Sequence, residues 1–340
     1  MKVLAVCALF VVAVQARVMV PLHMSPSSNE MINFINSLNT TWKAGRNFGM
    51  ETPNKCPVSL AAAIPASESE RLPLHIPRKP RRDWPDTLDA RIEWRHCRTI
   101  PLIRDQGNCG SCWAHGVAGA ISDRVCIQTC GRVQVNISVQ DLMTCCPDCA
   151  TNGDGCIGGK PSLAWKYFYN FGIVSGGPYV PPEQYTLNDG CRPYSIKPVS
   201  LGMTSGCNAR APPCNRTCNE KFNNTYEDDK HYAGKVYRLP KDALRILVDI
   251  LYNGPVSALF DVYSDFYAYK SGVYQRHSNQ RCSGHVVRII GWGTENGVPY
   301  WLAANSWGTG WGDKGFFKIR RGNNECNIES QVEGGMAHEP

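Results

Sequence analysis

The sequence predicts an α+β fold in which a helical part precedes a strand-rich part. Residues 113–128 carry apolar side chains at helical spacing and contain few helix breakers. After Leu259, alternating apolar and polar residues and frequent turn residues indicate β-strands. The 340 residues, of which 43% are hydrophobic, can form one large domain or two domains with an ample core.

The first residues have the pattern of a secretory signal peptide. Lys2 precedes the apolar run 3–14, and a cleavage site is plausible after Ala16. This run is too short to span a bilayer comfortably and no later stretch is apolar enough, so we expect no membrane association.

The 17 Cys residues also indicate the secretory pathway, in which disulfides persist. A lysosomal destination and an extracellular one, such as a digestive lumen, both remain open. Glycosylation sequons that fit this route occur at Asn39, Asn136, Asn215 and Asn223.

The net charge of +7 raises the question of nucleic-acid binding. Basic residues are scattered, except for a cluster at residues 78–82. This cluster lies in a Pro-rich stretch and is more typical of a processing site or linker than of a binding patch. We therefore expect no nucleic-acid partner.

Residues 17–82 differ in character from the rest of the chain. Apolar residues between Met31 and Leu38 predict an amphipathic helix, and residues 27–30 provide a plausible N-terminal cap. Residues 51–83 are rich in Pro, Ala, Ser and charged residues, which favours a loop or linker.

The run Gln-Gly-Asn-Cys-Gly-Ser-Cys-Trp-Ala at residues 106–114 places Cys112 at the start of the predicted helix. The positive end of a helix dipole favours a thiolate, which is the reactive form of Cys. Gln106 could donate a side-chain N–H to a developing oxyanion. The sequence therefore indicates a Cys nucleophile.

This run resembles the active-site segment of papain-like cysteine proteases. Residues 284–286 and 304–308 resemble the His and Asn segments of that family, in the same order and at similarly long separations. A structural Cys and an ordinary core His would leave these three ordered segments unexplained. The resemblance implies two lobes facing across a cleft. A helical lobe, mainly 97–238, carries Cys112, and a β-barrel-like lobe, mainly 239–340, carries His285 and Asn305.

The resemblance also implies the roles of the site residues, with no cofactor or metal. Cys112 is the expected nucleophile, His285 its ion-pair partner and proton donor, and Asn305 the group that orients His285. Gln106 is expected in the oxyanion hole, and Trp307 is expected to cover the Asn305–His285 bond. The expected substrate-binding residues are Gly158, Gly159, Pro161, Val286, Trp307 and Gln331. Gly158 and Gly159 could also simply form a turn, but glycine permits close approach of a substrate backbone.

Several stretches resemble the cathepsin B branch of this family, including residues 39–48, 153–156, 191–196 and 263–266. The first of these resembles a cathepsin B propeptide, which lies backwards through the cleft and keeps the zymogen inactive. The implied organisation is a signal peptide at 1–16, a propeptide at 17–83 and a mature peptidase at 84–340. Peptides and proteins are the implied substrates, the propeptide is the implied inhibitor, and cystatin-like inhibitors are plausible partners.

The cluster Cys145, Cys146 and Cys149 could bind zinc, but disulfides are the favoured interpretation in a secreted chain. The resemblance implies the pairs Cys97–Cys126, Cys109–Cys156, Cys145–Cys214, Cys146–Cys149 and Cys191–Cys218. Cys326 matches a buried free thiol of the family. The resemblance names no partner for Cys130, Cys207 and Cys282.

The chain departs from cathepsin B in the segment that would form the occluding loop. Residues 191–218 contain no His, Val199 replaces a loop Cys, and Gly310 replaces the Asp that latches the loop. Adjacent His residues in that loop bind the C-terminal carboxylate of substrates, so we expect little carboxydipeptidase activity and mainly endopeptidase activity.

The expected S2 and S3 pockets also differ. Gln331 stands where the family has an acidic residue, and an amide cannot pair with Arg at P2 as a carboxylate does. We therefore expect weaker preference for Arg at P2 and a shift towards apolar residues. Lys160 stands where an aromatic residue often lines S3, and its charge should further disfavour basic substrates.

Two rival interpretations remain. The main one is a catalytically weak homologue that binds peptides or inhibitors, and the second is a purely structural disulfide-rich protein. His115 stands where the family has Phe, and we expect a packing change there rather than a second titrating group.

Overall fold

A computed structural model of the chain describes residues 17–47, 56, 60–78, 84–198 and 209–338. The expected signal peptide, Val199 and Cys207 lie outside these ranges. We call residues 17–78, as far as they are described, the N-terminal segment. No helix in the described ranges is long and apolar enough to cross a membrane.

Six α-helices and nine strands are described. The helices are α1 (Asn29–Ser37), α2 (Ala90–Glu93), α3 (Cys112–Gln128), α4 (Val139–Cys145), α5 (Pro161–Phe171) and α6 (Ala243–Asn253). The strands are β1 (Trp42–Ala44), β2 (Leu88–Asp89), β3 (Ala233–Arg238), β4 (Val256–Tyr263), β5 (Tyr269–Tyr274), β6 (Arg281–Glu295), β7 (Val298–Ala304), β8 (Phe316–Arg320) and β9 (Gln331–Ala337). The strands form one sheet in the order β1-β5-β8-β7-β6-β4-β9-β3, and β2 pairs with β6.

The predicted helix in the N-terminal segment is confirmed as α1. Its Ser28 cap accepts a hydrogen bond from the Met31 backbone N–H at 3.1 Å, which satisfies one of the free donors at the helix start. Met31 and Ile35 are buried, and strand β1 after the helix pairs with β5. The N-terminal segment therefore extends the sheet at one edge.

Helix α3 begins at Cys112, as the sequence predicts, but it has no long exposed face. Residues 112–126 are all buried, because α3 lies between the sheet and helices α4 and α5. Arg124 of α3 pairs with Asp249 of α6 at 2.5 Å, and its guanidinium also donates to the Pro255 and Gly335 carbonyls. A helix that is buried all round must satisfy its charged residues internally, as Arg124 does.

Two hydrophobic clusters correspond to two lobes, although their boundaries differ from the expected ones. One cluster surrounds the sheet and includes residues before position 97, such as Leu88 and Ala90, as well as α6. The other surrounds α3, α4 and α5. Strand β3, which was expected in the helical lobe, contacts both: Ala233 and Val236 belong to the helical cluster, and the strand pairs with β9 of the sheet. The chain thus crosses between the lobes more often than a single break at 238 allows.

The five disulfides that the family resemblance implies are confirmed. Cys326 is a buried free thiol, as expected, and Cys130 is free and exposed. A sixth disulfide was not foreseen: Cys282 of β6 bonds to Cys56 of the N-terminal segment.

The buried Arg124–Asp249 pair generates a stability prediction. Asp249→Asn removes the charge partner of a fully buried guanidinium, so the free energy of unfolding should fall by about 3–5 kcal/mol. Glu227→Gln is the matched control, because the Glu227 carboxylate in its pair with Lys230 is 68% exposed and should contribute less than about 1 kcal/mol. Denaturant unfolding of the full chain measures both changes, and equal losses would contradict the assigned importance of the buried pair.

Candidate active site

Cys112 lies at the first residue of α3, at the interface between helix and sheet. Its thiol interacts with the backbone of Val286, the residue that follows His285 on β6. One turn further along α3, a Cβ atom at Gly116 would lie 2.5 Å from Val286 Cγ1. Only glycine permits this approach of α3 to β6, so a side chain at position 116 would push Cys112 away from the strand.

His285 and Asn305 form the hydrogen bond that the resemblance implies. The His285 Nε2 atom lies 2.7 Å from Asn305 Oδ1, which also accepts a bond from the Ser306 backbone N–H at 2.8 Å. Because a backbone N–H can only donate, the acceptor atom is the amide oxygen, and Nε2 must carry a proton. In the neutral ring, Nδ1 is then the basic nitrogen. This buried atom makes no well-formed hydrogen bond among the described residues, although the Leu60 backbone interacts with the ring.

Trp307 packs against this hydrogen bond. The rings of His285 and Trp307 have centroids 4.8 Å apart, and Trp307 stacks in turn on Tyr267 at 5.3 Å. Trp307 is 6% exposed. Excluding water from a hydrogen bond strengthens it, so this packing helps to hold the His285 ring.

Gln106 is held from both sides in the loop before α3. Its Nε2 donates to the Cys109 carbonyl at 2.8 Å, and its Oε1 accepts from Ser306 Oγ at 2.7 Å. The Gln106 backbone N–H also donates to the Ser306 carbonyl at 2.9 Å. These bonds join the loop of Cys112 to the loop of Asn305.

The N-terminal segment occupies the cleft between the two lobes. Ala63 donates its backbone N–H to the Gly284 carbonyl, and Ile64 donates to the Gly159 carbonyl, both at 2.9 Å. The Trp307 indole donates to the Leu60 carbonyl at 3.0 Å. An extended stretch at 60–64 is therefore bound from both lobes and lies directly over the site.

Two glycines permit this close approach. A Cβ atom at Gly158 would lie 2.2 Å from the Ala62 carbonyl oxygen, and one at Gly284 would lie 2.3 Å from the Ala63 carbonyl oxygen. Gly158 also has φ +136°, a conformation that other residues rarely adopt. Gly158 thus leaves room for the backbone of residues 60–64, and Gly159 accepts a hydrogen bond from it. Pro161, two residues after Gly159, is the buried first residue of α5.

Burial under the N-terminal segment sets the charge state of the site. It raises the pKa of the Cys112 thiol above its ordinary value, against the opposing effect of backbone groups of Ala62 and Val286. It lowers the pKa of His285 to about 4, although the bond to Asn305 acts the other way. The expected ion pair at rest is therefore disfavoured in this covered state, and both groups are neutral near pH 7.

A cavity of about 430 Å³ adjoins the cleft and contains Gln331, the residue expected in the S2 pocket. Gln331 Nε2 donates to Ser162 Oγ at 3.3 Å and to Glu333 Oε1 at 3.2 Å. Glu333 is 2% exposed and also accepts from Ser162, and burial raises its pKa to about 7. The cavity therefore has carboxyl groups after all, from Glu333, two residues further along β9, and from Asp261 of β4.

Sequence reasoning missed Glu333, although a signal was present. Alternate residues of a strand share a face, so any residue two positions from Gln331 on a strand is a candidate for the same pocket.

Other predicted positions are also placed. Lys160 pairs with Glu70 of the N-terminal segment at 2.6 Å. His115 is buried, its ring centroid lies 4.8 Å from that of Tyr194, and burial lowers its pKa to about 3, which agrees with a packing role. Gly310 has open space around it. The thiols in the cluster Cys145, Cys146 and Cys149 are oxidised to disulfides, which removes them as zinc ligands.

Comparisons with known proteins agree with this geometry. Residues 84–336 match the "Papain family cysteine protease" domain, and residues 27–55 match the "Peptidase family C1 propeptide". A "Gut-specific cysteine proteinase" of Caenorhabditis elegans is 47% identical over 74% of each chain. A "Cathepsin B-like cysteine proteinase" of Schistosoma japonicum is 40% identical over 92% of each chain.

A solved structure, "proCathepsin B S9 from Trypanosoma congolense", covers 93% of this chain and 100% of its own, with a TM-score of 0.78 and 34% identity. A structure from Tenebrio molitor, "digestive procathepsin L2 proteinase", covers 90% and 89% with a TM-score of 0.66 and 26% identity. The α+β, papain-like fold expected from the sequence is thereby confirmed. The chain belongs to the papain family of cysteine proteases and has cathepsin B-like relatives.

Proposed function

We propose that this chain is the zymogen of a cysteine endopeptidase that uses Cys112, His285 and Asn305. The observation that carries the proposal is the hydrogen bond between His285 Nε2 and Asn305 Oδ1, on a strand that packs against the helix of Cys112. This arrangement leaves His285 Nδ1 as the basic nitrogen available to the thiol.

The proposed reaction is acyl transfer. The Cys112 thiol passes its proton to His285 Nδ1, and the thiolate attacks the substrate carbonyl carbon. The backbone N–H of Cys112 and the Gln106 side chain stabilise the oxyanion, and protonated His285 gives its proton to the leaving amine. Water then hydrolyses the thioester, with His285 as general base. Asn305 keeps the ring oriented throughout.

The N-terminal segment supports the zymogen proposal. Residues 60–64 fill the strip where a substrate backbone would pair with Gly159, and the Leu60 carbonyl binds the Trp307 indole beside His285. We propose residues 1–16 as signal peptide, 17–83 as propeptide and 84–340 as mature enzyme, destined for a lysosome or a digestive lumen. Cystatin-like proteins are proposed inhibitors of the opened cleft.

The test of this function is hydrolysis of fluorogenic peptides by the processed protein. We expect turnover that is abolished by an epoxysuccinyl thiol inhibitor, with the inhibitor bound to Cys112 in the mass spectrum. Cys112→Ala, processed by an added protease, is the matched control and should neither turn over substrate nor be labelled. A processed wild-type protein without labelling or turnover would favour the alternative of a catalytically weak homologue that binds peptides or inhibitors.

The segment between Cys191 and Cys218 supports an endopeptidase with reduced carboxydipeptidase activity. The described part of this segment contains no His side chain that could bind a substrate carboxylate. Gly310 has no carboxylate that could hold a loop closed. Peptide pairs that differ only in a free or amidated C-terminus test this. We expect cleavage at internal bonds with kcat/KM equal within about threefold for the two members, because a binding preference of 1.4 kcal/mol would already give tenfold. Stepwise removal of dipeptides from the free-acid peptide alone would contradict the proposal.

Glu333 refines the proposed S2 specificity. Protonated Glu333 is neutral and suits an apolar P2 residue, whereas ionised Glu333 could pair with Arg. Its charged surroundings are mainly basic: Lys166, Arg238, Lys241 and Arg71, with Asp261 as a further carboxylate that pairs with Arg281. The pocket should therefore prefer apolar residues at acidic pH.

A pH profile tests this refinement. The raised pKa of about 7 means that Glu333 loses its proton as pH rises towards 7. We expect the ratio of kcat/KM for Arg over Phe at P2 to rise at least about tenfold between pH 4.5 and 7.5, because hydrogen bonds to charged groups contribute about 1.5–3 kcal/mol. Glu333→Gln should flatten the ratio, and Gln331→Ala should retain its rise. A wild-type ratio that is independent of pH would exclude Glu333 as the P2 determinant.

A further inference from the structure

One of the described disulfides joins the N-terminal segment to the remainder of the protein. Cys56 and Cys282 are 226 residues apart in sequence, with Cα atoms 5.6 Å apart. The other five described disulfides join cysteines between residues 97 and 218. Cys282 lies on β6, three residues before His285 and two before Gly284, which binds Ala63. The bond is therefore anchored beside the proposed active site.

The position of Cys56 determines what this bond can hold. Cys56 precedes Leu60 by four residues, and residues 60–64 occupy the cleft. In the sequence, the basic cluster at residues 78–82 follows residues 60–64, whereas Cys56 precedes them. A peptide-bond cut in the cluster therefore separates the segment from residue 84 onward and leaves Cys56 in the segment. The cut segment would stay bonded to Cys282. Its effective concentration at the cleft would then be on the order of millimolar, which opposes its dissociation from the cleft.

The exposure of the two cysteines distinguishes this bond from the others described. Cys56 and Cys282 are both partly exposed, whereas each of the other five disulfides contains at least one buried Cys. Accessible disulfides are the ones that thiols reduce most readily. The bond that retains the segment is thus accessible to a thiol at both of its cysteines.

We propose that Cys56–Cys282 is a covalent latch that keeps the N-terminal segment in the cleft after the chain is cut, so that a thiol must reduce it before the site opens. This inference rests on the proposed function, because it concerns the regulation of the same site.

The opening step is a thiol–disulfide exchange with a low-molecular-weight thiol. A reductant thiolate attacks one sulfur of the latch, the S–S bond breaks, and a mixed disulfide and one protein thiolate form. A second reductant thiolate then displaces the other protein sulfur. Two reductant thiols are oxidised to one disulfide, and their two electrons and two protons end on Cys56 and Cys282. The segment is then held by noncovalent contacts alone and can dissociate.

The experiment compares the cut full-length protein with and without a thiol. The zymogen is cut near residues 78–82 with a trace of trypsin, which is then blocked by a serine-protease inhibitor. Labelling of Cys112 by a fluorescent epoxysuccinyl probe is followed without reductant and again with glutathione. Without glutathione, wild-type protein should label at least about a hundredfold more slowly than Cys56→Ser/Cys282→Ser, since tethering raises occupancy by such factors. Glutathione should remove the difference, and Cys130→Ser, which lacks only an exposed free thiol, should behave as wild type.

A second readout on the cut wild-type protein needs no variant. Under non-reducing denaturing conditions the two fragments should migrate as one disulfide-linked species with their summed mass, and reduction should separate them. Separation without reductant, or equal labelling rates of wild type and the double variant, would overturn the latch. If the opened protein labels at Cys112 but hydrolyses no peptide, the proposed function fails while the latch stands.

Discussion

The approach of α3 to β6 is the constraint on which the proposed site depends. Gly116 allows the helix to lie against Val286, and the Asp123–Arg288 ion pair, with Asp123 fully buried, fixes the helix along the strand at 2.5 Å. Arg288 also donates to the carbonyls of Thr99, Ile100 and Leu102, so the same side chain fixes the chain segment that leads into the helical lobe. Because Cys112 and His285 come from different lobes, their distance is set by this packing and not by either loop.

The N-terminal segment blocks the site sterically, and it also excludes water from Cys112 and His285. With residues 60–64 in place, Cys112 and His285 are fully buried, and burial favours the neutral form of both. The helix dipole at the start of α3 favours the thiolate, but the dehydration of the charge outweighs it here. Removal of the segment would hydrate both groups and thereby favour the ion pair that acyl transfer requires.

The helix that begins at Cys112, the capped helix α1 and the His285–Asn305 bond could be predicted because each depends on local residue patterns or on motifs with a fixed order. The Cys56–Cys282 bond could not be predicted in this way, since its partners are 226 residues apart and their meeting depends on the path of the N-terminal segment. Glu333 was missed for a different reason. Its position has no counterpart in the family motif, and only the two-residue period of strand β9 places the Glu333 side chain beside Gln331.

Acidification weakens the covered state through His285. The lowered pKa of His285, about 4, stabilises the covered state at high pH, and this contribution of about 3 kcal/mol is lost as pH falls from 6.5 towards 4. The raised pKa of Glu333, about 7, does not enter this balance, because the groups that bond to its carboxyl, Ser162 and Gln331, do not belong to the N-terminal segment. The latch opposes this effect, since acid lowers the thiolate fraction of any attacking thiol. Reduction of Cys56–Cys282 is therefore slower at acidic pH than at neutral pH.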